Sequence, residues 1–578
     1  MSLFSSSQSQ STVKNALVNA LDCFTPKQIG ENGTIEHTWS NDVREKILQL
    51  SFQLTRTNND NYESLASQTR QILSRLSNIK TDSRSEYIHY MTIMFKMIGH
   101  TRDIIDGKGE YSLSYMLLNV WLEYNPVLAK FALRMFVLPP ENTANHPYGC
   151  WKDIKNLYTL NKHSELSLYG IELMLNQIRL DSTSDNPSLA AKWAPREKSA
   201  HSEMFNEMAV QYFKNYIDTA KSAQARSKAV NKAKMEFRKL LSSLNKKLDT
   251  VQIKQCGNTW SEIDPNKQTS ITMHKQKRAF LNVNKKGEQR YNNSDRIECA
   301  KHFNELAKKA AAGEVEIKGK RVGLNDFTNE AISIINSRTH SDSDAEAAIL
   351  NAQWRSNSTQ TGALGKMIAM VDVSGSMQGD PVNAAIALGI RVAEKSIIGK
   401  RVLTFSKQPT WVNLSGTDNF IDMVRQIYRA NWGTHTNFIS ALLMILTAIV
   451  ENKLRTEDVE DMVLAIFSDM QIDVADRHSL TMMDIVEKAY ADAGISLWGT
   501  PFKPPHILFW NLRSTSGFPT LSSQKNASMM SGFSPSLLNL FCDEGMESLQ
   551  SCTPWSLYMK SLKNNRYTPL EDFAKANL

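Results

Sequence analysis

The chain has 578 residues, of which 41% are hydrophobic and 22% charged, and a formal net charge of +8. This composition is typical of an ordinary folded protein and excludes a collagen-like or low-complexity chain. The length is too great for one hydrophobic core, so we expect two to four domains.

Membrane insertion and secretion are both disfavoured by the sequence. The longest apolar stretch, Phe438 to Val450, is too short to cross a bilayer and contains Ser440 and Thr447, so we predict a buried helix. The N-terminus has neither a basic start nor an apolar core of the kind found in signal peptides. The six cysteines show no C-x-x-C spacing, which argues against a zinc module and a disulfide scaffold. We therefore expect an intracellular, cytoplasmic protein with reduced thiols and no membrane insertion.

The first half of the chain has the pattern of a helical region. Residues 1–35 are polar and rich in Ser and Gln, and we predict a mobile or extended arm there. From Asn41 to about Tyr169, apolar residues recur at helical spacing, with Gly, Pro and Asn between the segments. We predict an α-helical, repeat-like region over 36–345, although no fixed repeat period identifies a named repeat family.

A Gly-Lys pair at Gly107 and Lys108 raises the question of a phosphate-binding loop. The surrounding sequence, T-R-D-I-I-D-G-K-G-E from Thr101 to Glu110, lacks the G-x-x-x-x-G-K-[ST] spacing. A charged turn between two helices is the favoured interpretation.

The positive charge of the chain is concentrated in residues 191–330, which contain 28 Lys and Arg against 16 Asp and Glu. Basic side chains with interleaved aromatic residues are typical of surfaces that bind nucleic acids. The alternative, which we weigh equally, is a basic face that is only solvated. The candidate nucleic-acid-binding residues are Arg226, Lys228, Lys232, Lys234, Arg238, Lys275, Lys277, Arg278, Lys285, Lys286 and Arg290.

A second pattern begins after a polar stretch, Ser337 to Thr361, and we predict an α/β domain over 346–578. The apolar run Met367 to Val371 predicts a buried parallel strand, followed at alternate positions by Asp372, Ser374 and Ser376. Ligands bind at the carboxyl ends of such strands, and carboxylate and hydroxyl oxygens suit Mg²⁺. The motif predicts a site for Mg²⁺ or another divalent cation such as Mn²⁺.

The elements that follow the motif complete this site. Pro381 to Ile398 has helical periodicity and Arg401 to Ser406 reads as a strand, so the two strands should be parallel. A hydroxyl-bearing turn, W-G-T-H-T-N, precedes the apolar helix, and the strand Asp461 to Phe467 ends in Ser468 and Asp469. We expect the motif, the turn and Asp469 to meet at one edge of the sheet.

These motifs resemble those of two known families. D-V-S-G-S-M, G-T-H-T-N and F-S-D are similar to the metal-ion-dependent adhesion site of von Willebrand factor A domains. Together with H-P-Y-G-C-W-K-D-I, A-A-K-W-A-P-R and I-L-F-W-N-L-R, they resemble the DUF2828 proteins of plants, fungi, protists and giant DNA viruses, from about residue 85 onward. That family is similar in layout to the Ro/TROVE proteins, in which an A domain closes a ring of helical repeats that binds RNA.

The resemblance implies a fold and a set of metal ligands. The fold is an all-α helical-repeat region followed by a doubly wound, Rossmann-like von Willebrand factor A domain. Ser374, Ser376 and Thr436 would contact the cation, and Asp372 and Asp469 would act largely through water. Thr434 is the alternative to Thr436. An open position on the cation would accept a carboxylate from a partner.

We therefore expect a non-enzymatic binding protein. In the first hypothesis it binds structured or single-stranded RNA through the basic helical region. In the alternative it is a protein-interaction or structural scaffold, in the cell or in a virus particle, whose metal site binds an acidic partner. No catalytic residues are predicted, because no second carboxylate pair and no His is arranged as a general base near the motif.

Overall fold

The computed structural model describes residues 27–56, 60–139, 146–337, 343–430, 433, 437–460, 462–471, 480–542 and 546–578. A helical N-terminal region is followed by a mixed sheet of six strands, as the sequence predicts at this level. Residues 1–26 of the predicted arm lie outside the described residues. The described residues of this arm, 27–35, begin a short antiparallel hairpin of β1 (Lys27–Ile29) and β2 (Ile35–His37).

The helices of the N-terminal half begin and end at residues that suit helix termini. Asp42 accepts a hydrogen bond from the backbone N–H of Glu45, at 2.8 Å, and Asn125 caps a helix that starts with Pro126. The helices of this half are α1 (Val43–Gln53), α2 (Asp60–Asp82), α3 (Arg84–Arg102), α4 (Tyr111–Tyr124), α5 (Pro126–Val137), α6 (Lys152–Leu160), α7 (Glu165–Thr183), α8 (Ala190–Trp193), α9 (Ser202–Tyr212), α10 (Lys214–Asp218), α11 (Ala223–Lys247), α12 (Val251–Gly257), α13 (Ser270–Phe280), α14 (Ser294–Ala311), α15 (Leu324–Asn336) and α16 (Ser343–Ser358).

The sheet has the strand order β5-β4-β3-β6-β7-β8. All neighbouring pairs are parallel except β4 and β5. Its strands are β3 (Met367–Asp372), β4 (Arg401–Phe405), β5 (Thr410–Asn413), β6 (Val463–Ser468), β7 (His506–Asn511) and β8 (Ala527–Ser531). Three of them, β3, β4 and β6, match the strands predicted above, and β3 and β4 are parallel as expected.

Helices cover both faces of the sheet. Because side chains alternate along a strand, Met370 enters one hydrophobic core and Val371 the other. The remaining helices are α17 (Asp380–Lys395), α18 (Phe420–Tyr428), α19 (Phe438–Glu451), α20 (Thr456–Glu460), α21 (Met482–Trp498), α22 (Met546–Ser551), α23 (Pro554–Leu562) and α24 (Thr568–Asn577). The predicted buried helix is α19, and none of the helices described is long and apolar enough to cross a lipid bilayer.

The last helix shares one core with helices of the N-terminal half. Helix α24 packs against α3 and α5, and the rings of Phe131 and Phe573 stack with their centroids 3.8 Å apart. In a linear solenoid each helix pair contacts only its neighbours along the chain. Here the last helix returns to the N-terminal helices, so the helical region and the sheet form a continuous structure.

The basic segment is divided between two helix groups. Helix α11 packs on α8, α9 and α10, with Phe237 against Phe205. Helices α13, α14 and α16 enclose a separate core in which Phe280 and Phe303 stack at 4.4 Å. The basic residues of α11 and of α13 therefore belong to different packing units.

The segment between α3 and α4 is the turn that the sequence favoured over a phosphate loop. Lys108 is buried, and its Nζ donates hydrogen bonds to the carbonyl oxygens of Ser51 and Leu54, at 2.5 and 3.0 Å, and to Ser531 Oγ, at 2.6 Å. This ammonium group joins the end of α1 to the end of β8.

We expect Lys108→Met to destabilise the protein by about 3 kcal/mol, because it leaves buried oxygen atoms without a donor. Thermal and urea unfolding of the full chain measure the effect. The matched control is Lys563→Met, which changes an exposed lysine in the same way. Equal unfolding midpoints for the two variants would contradict a structural role for Lys108.

Candidate metal centre and adjoining cavity

The D-V-S-G-S motif forms a tight turn at the carboxyl end of β3. Asp372 is fully buried, and its Oδ1 accepts a hydrogen bond from the backbone N–H of Ser374, at 2.9 Å. The hydroxyl oxygens of Ser374 and Ser376 lie 3.1 Å apart. The structure thus brings together the three residues that the sequence placed in the first part of the site.

Strand β6 supplies the second carboxylate. Its pairing with β3 sets Phe467 beside Val371, so Ser468 and Asp469 follow at the level of the motif. Ser468 Oγ donates a hydrogen bond to Asp372 Oδ2, at 2.6 Å, and Asp469 is fully buried. The sequence analysis did not assign Ser468 to the site, although its place at the strand end was a usable signal.

The order of strands reverses between β3 and β6, because β4 lies on one side of β3 and the later strands extend on the other. In open α/β sheets a crevice forms at such a point, and ligands bind there. Asp372 and Asp469 stand at the ends of the two strands that flank it.

An arginine that the sequence analysis missed lies beside the carboxylates. Arg513 follows β7, and its Nη1 donates hydrogen bonds to the backbone oxygen of Ser376, at 3.2 Å, and to Asp469 Oδ2, at 3.4 Å. The sequence signal is the strand I-L-F-W-N-L-R, which ends at the same sheet edge.

Burial shifts the proton affinity of both carboxylates. It raises the pKa of Asp372 to about 7, and the nearby charge of Asp469 contributes. Burial also raises the pKa of Asp469, against hydrogen bonds from Gln471, Ser376 and Arg513. Two buried carboxylates repel each other, and a divalent cation would stabilise their ionised forms.

The residues present fit a hard cation. They provide only carboxylate and hydroxyl oxygens, which Mg²⁺ and Mn²⁺ accept. In the part of the chain that the structure describes, no three His, Cys, Asp or Glu side chains are grouped to hold a metal. A cation at this edge would therefore depend on the serine hydroxyls as well as on Asp372 and Asp469.

The threonine of the predicted site stays a prediction. Thr434, His435 and Thr436 lie outside the described residues. Their neighbour Asn437 donates its backbone N–H to the carbonyl oxygen of Ser406, at 2.9 Å. Ser406 follows Phe405, which pairs with Asp372, so the residue after the predicted turn is anchored close to the motif.

A cavity of about 860 Å³ adjoins the motif. One wall comes from the end of α1 and the start of α2, another from the start of α17, and a third from the segment after β7. The lining residues are Glu31, Trp39, Arg56, Asn61, Ser64, Leu65, Gly375, Ser376, Gln378, Asp380, Pro381, Arg513, Ser514, Thr515, Ser516 and Phe533. The site is therefore open to a ligand on the side of Ser376.

The structure separates the predicted nucleic-acid-binding residues by environment. Lys277 is buried and lies 2.7 Å from Glu330, and Arg278 lies 2.8 Å from Glu346, so carboxylates already compensate both charges. The other candidates are exposed or half-buried: Arg226, Lys228, Lys232, Lys234, Arg238, Lys275, Lys285, Lys286 and Arg290.

The chain thus has an α-helical region followed by a six-stranded mixed sheet, with paired carboxylates at the carboxyl edge of that sheet. Comparison with known proteins matches residues 172–367 to the family described as a domain of unknown function, DUF2828, and residues 366–576 to another, DUF7788. An uncharacterised protein of Acanthamoeba polyphaga mimivirus, L728, is 26% identical over 480 residues, which are 77% of this chain and 76% of that protein.

The chain thus contains a region that matches DUF2828, followed by one that matches DUF7788. The D-V-S-G-S motif, which is part of the resemblance to DUF2828 given above, lies beyond residue 367, where that match ends. Asp372 and Asp469 lie in the part that matches DUF7788.

We expect the cation-free protein to lose stability as the pH rises from 4 to 7. In that range Asp372 ionises in the unfolded chain but stays protonated in the folded one, so its stabilising contribution is lost as the pH rises through the folded pKa. Relative to Asp372→Asn, the wild type should lose about 3 kcal/mol over this window. Unfolding in EDTA at several pH values measures it.

The control for this experiment is Asp492→Asn, an exposed position outside the site. It should keep the pH dependence of the wild type. Parallel curves for the wild type and Asp372→Asn would show that the pKa of Asp372 is not raised.

Proposed function

We propose that the protein is a non-enzymatic, cation-dependent binding protein whose sheet domain is of the von Willebrand factor A type. Mg²⁺ or Mn²⁺ would be held by Ser374, Ser376, Asp372 and Asp469, with Thr436 as the remaining ligand. The observation that carries the proposal is the meeting of two buried carboxylates and two serine hydroxyls beside a polar cavity. The cation would present an open position to an anionic group entering that cavity.

The strand order supports this assignment of the fold. Numbered from β3, the sheet reads 3-2-1-4-5-6, the order of doubly wound nucleotide-binding sheets, and only the edge strand β5 runs antiparallel. Both faces carry helices, and the motif follows the first strand. These features agree with the resemblance of the motifs to the metal-ion-dependent adhesion site.

We expect the purified protein to bind one Mn²⁺ ion, as measured by electron paramagnetic resonance titration of free Mn²⁺. Asp372→Ala and Asp469→Asn should each weaken binding at least tenfold, because each removes negative charge from the site. The control Asp492→Asn should bind like the wild type. Equal Mn²⁺ affinity in all variants with folded structure would refute the site.

The basic face of α11 supports RNA as the second ligand. In the described part of the chain, Arg226, Lys228 and Lys234 make no ion pair with a carboxylate. Lys232 lies over the ring of Tyr216, with Nζ 4.4 Å from the centroid. Exposed cations beside an aromatic ring suit contacts with phosphates and unpaired bases. The proposal agrees with the Ro/TROVE-like layout.

Replacing Arg226, Lys228, Lys232 and Lys234 by Gln should weaken RNA binding at least tenfold and reduce its dependence on salt, because fewer phosphate contacts release fewer counterions. Electrophoretic shifts with structured and single-stranded RNA at several salt concentrations measure both effects.

The charge-matched control replaces four exposed lysines of the sheet domain, Lys453, Lys488, Lys503 and Lys525, by Gln. If both variants bind RNA equally, the basic face of α11 is not the RNA site. If the wild type shows no salt-sensitive RNA binding at micromolar concentration, the alternative function is favoured. In that function the protein is an interaction or structural scaffold, in the cytoplasm or a virus particle, and its cation binds a partner's carboxylate.

A further inference from the structure

We propose that the cavity beside the cation site binds a phosphate-bearing ligand of nucleotide size, with its phosphate group between Arg513 and the cation. This inference rests on the proposed cation site and specifies the ligand class of that site. A carboxylate is the ligand that the resemblance implies, so phosphate is a distinct assignment. It follows from the groups that line the cavity.

Two helices begin at the cavity. Asn61 and Ser64 belong to the first turns of α2, and Asp380 and Pro381 begin α17. The residue before α17 is Gly379, which has no side chain to cap the helix. The free N–H groups and the dipole at a helix start favour an anion. The start of α17, which has no side-chain cap, therefore favours negative charge at its wall of the cavity.

Arg513 is positioned to bind an oxyanion. Both of its hydrogen bonds, to Ser376 O and Asp469 Oδ2, come from Nη1. The other guanidinium nitrogens donate to no group in the described residues, and 38% of the side chain is exposed. The planar guanidinium group binds phosphate through two parallel N–H donors. Its free donors lie beside the cavity that adjoins the cation site.

Further donors come from Arg56, on the wall formed by the end of α1, and from Ser514, next to Arg513 on the wall after β7. The guanidinium of Arg56 contacts Glu110 and Asp380 only at 3.4 to 3.5 Å, and it lies 4.5 Å from the ring centroid of Phe533. Ser514 is only 5% exposed, lines the cavity, and its hydroxyl has no partner among the described residues. These groups can hydrogen-bond the phosphate or the polar body of a nucleotide.

The balance of charge explains why the phosphate would need the cation. Glu31 and Asp380 also line the cavity, and Asp469 accepts a hydrogen bond from Arg513, which lines it as well. Without a cation the carboxylates of Glu31 and Asp380 offset the charges of Arg56 and Arg513, so the cavity has little net attraction for a phosphate. A divalent cation offsets Asp372 and Asp469, which leaves Arg513 and the start of α17 to attract a dianion. A volume of about 860 Å³ is within the range of small-molecule sites.

The test uses isothermal titration calorimetry of the full chain with inorganic pyrophosphate and AMP, with Mg²⁺ or with EDTA. Adenosine and succinate test the need for phosphate, and 5′-phosphorylated and 5′-hydroxyl octauridylate show whether the phosphate can belong to an RNA end. We expect AMP or pyrophosphate to bind at least tenfold more tightly with Mg²⁺, with adenosine and succinate far weaker.

Two variants and a control locate the phosphate. Arg513→Gln should weaken AMP binding at least tenfold, and Ser514→Ala, which removes no charge, should weaken it several-fold. Arg455→Gln, at an arginine whose side chain is 74% exposed, should have no effect. Circular dichroism and the melting temperature establish that each variant is folded.

The outcomes separate this inference from the proposed function. If Mn²⁺ binds but no phosphate probe does, or if succinate binds as well as AMP, the phosphate assignment is wrong and the cation site stands. If the phosphate probes bind equally in EDTA, the coupling to the cation is wrong. If neither Mn²⁺ nor phosphate binds, both proposals fail.

Discussion

The architecture depends on pairing the charges buried between α3 and α4. Arg102 donates to both oxygens of Asp153, at 3.0 and 2.8 Å, and Arg566 donates to both oxygens of Asp103, at 2.7 and 2.6 Å. Burial of an unpaired charge costs several kcal/mol, so each of these groups requires its partner in place. Asp153 begins α6 and Arg566 precedes α24, and the pairs therefore fix distant parts of the chain around one turn.

The same turn positions the cavity. Lys108 holds the carbonyl oxygens at the end of α1, and Arg56 follows that end by a few residues. The third hydrogen bond of Lys108 Nζ, to Ser531 Oγ, fixes the end of α1 against β8. The helical wall of the cavity is thus attached to the sheet by a buried ammonium group. Burial lowers the pKa of Lys108 to about 7, which shows the cost of placing a cation there.

The central part of the sheet and half of the site could be predicted from the sequence, because their signals are local. An apolar run followed by D-x-S-x-S specifies a strand and the turn after it, and the strand ending at Asp469 has the same form. Ser468 and Arg513 also stand at or just after strand ends, but that local signal does not show which side chains they meet. They join the site through the pairing of β3, β6 and β7, which brings together residues more than ninety positions apart.

In the basic segment, the local charge pattern predicts more unpaired surface cations than the fold contains. Lys277 and Arg278 stand in a cluster of cations along the chain, but Glu330 and Glu346 lie against them in the fold. A run of basic residues in the sequence does not show that a carboxylate more than fifty residues away will pair with one of them. Arg226, Lys228, Lys232 and Lys234 differ because α11 packs through Phe237 and Leu241 and leaves these cations on its outer face. Arg238 on the same helix pairs with Glu197.

The location of α11 bears on whether the two proposed ligands compete. Its basic residues do not line the cavity in the described structure, and the helix packs on α8, α9 and α10 rather than on the sheet edge. RNA bound along α11 and an anion bound at the cation would therefore touch separate surfaces. Two sites influence each other only if each ligand favours one of two states of the protein. The buried contacts of Asp103 with Arg566 and of Lys108 with Ser531 resist such a second state, because shifting the helical region against the sheet would break them in a place that water does not reach. The fold thus favours two independent binding surfaces over a single ligand that spans both.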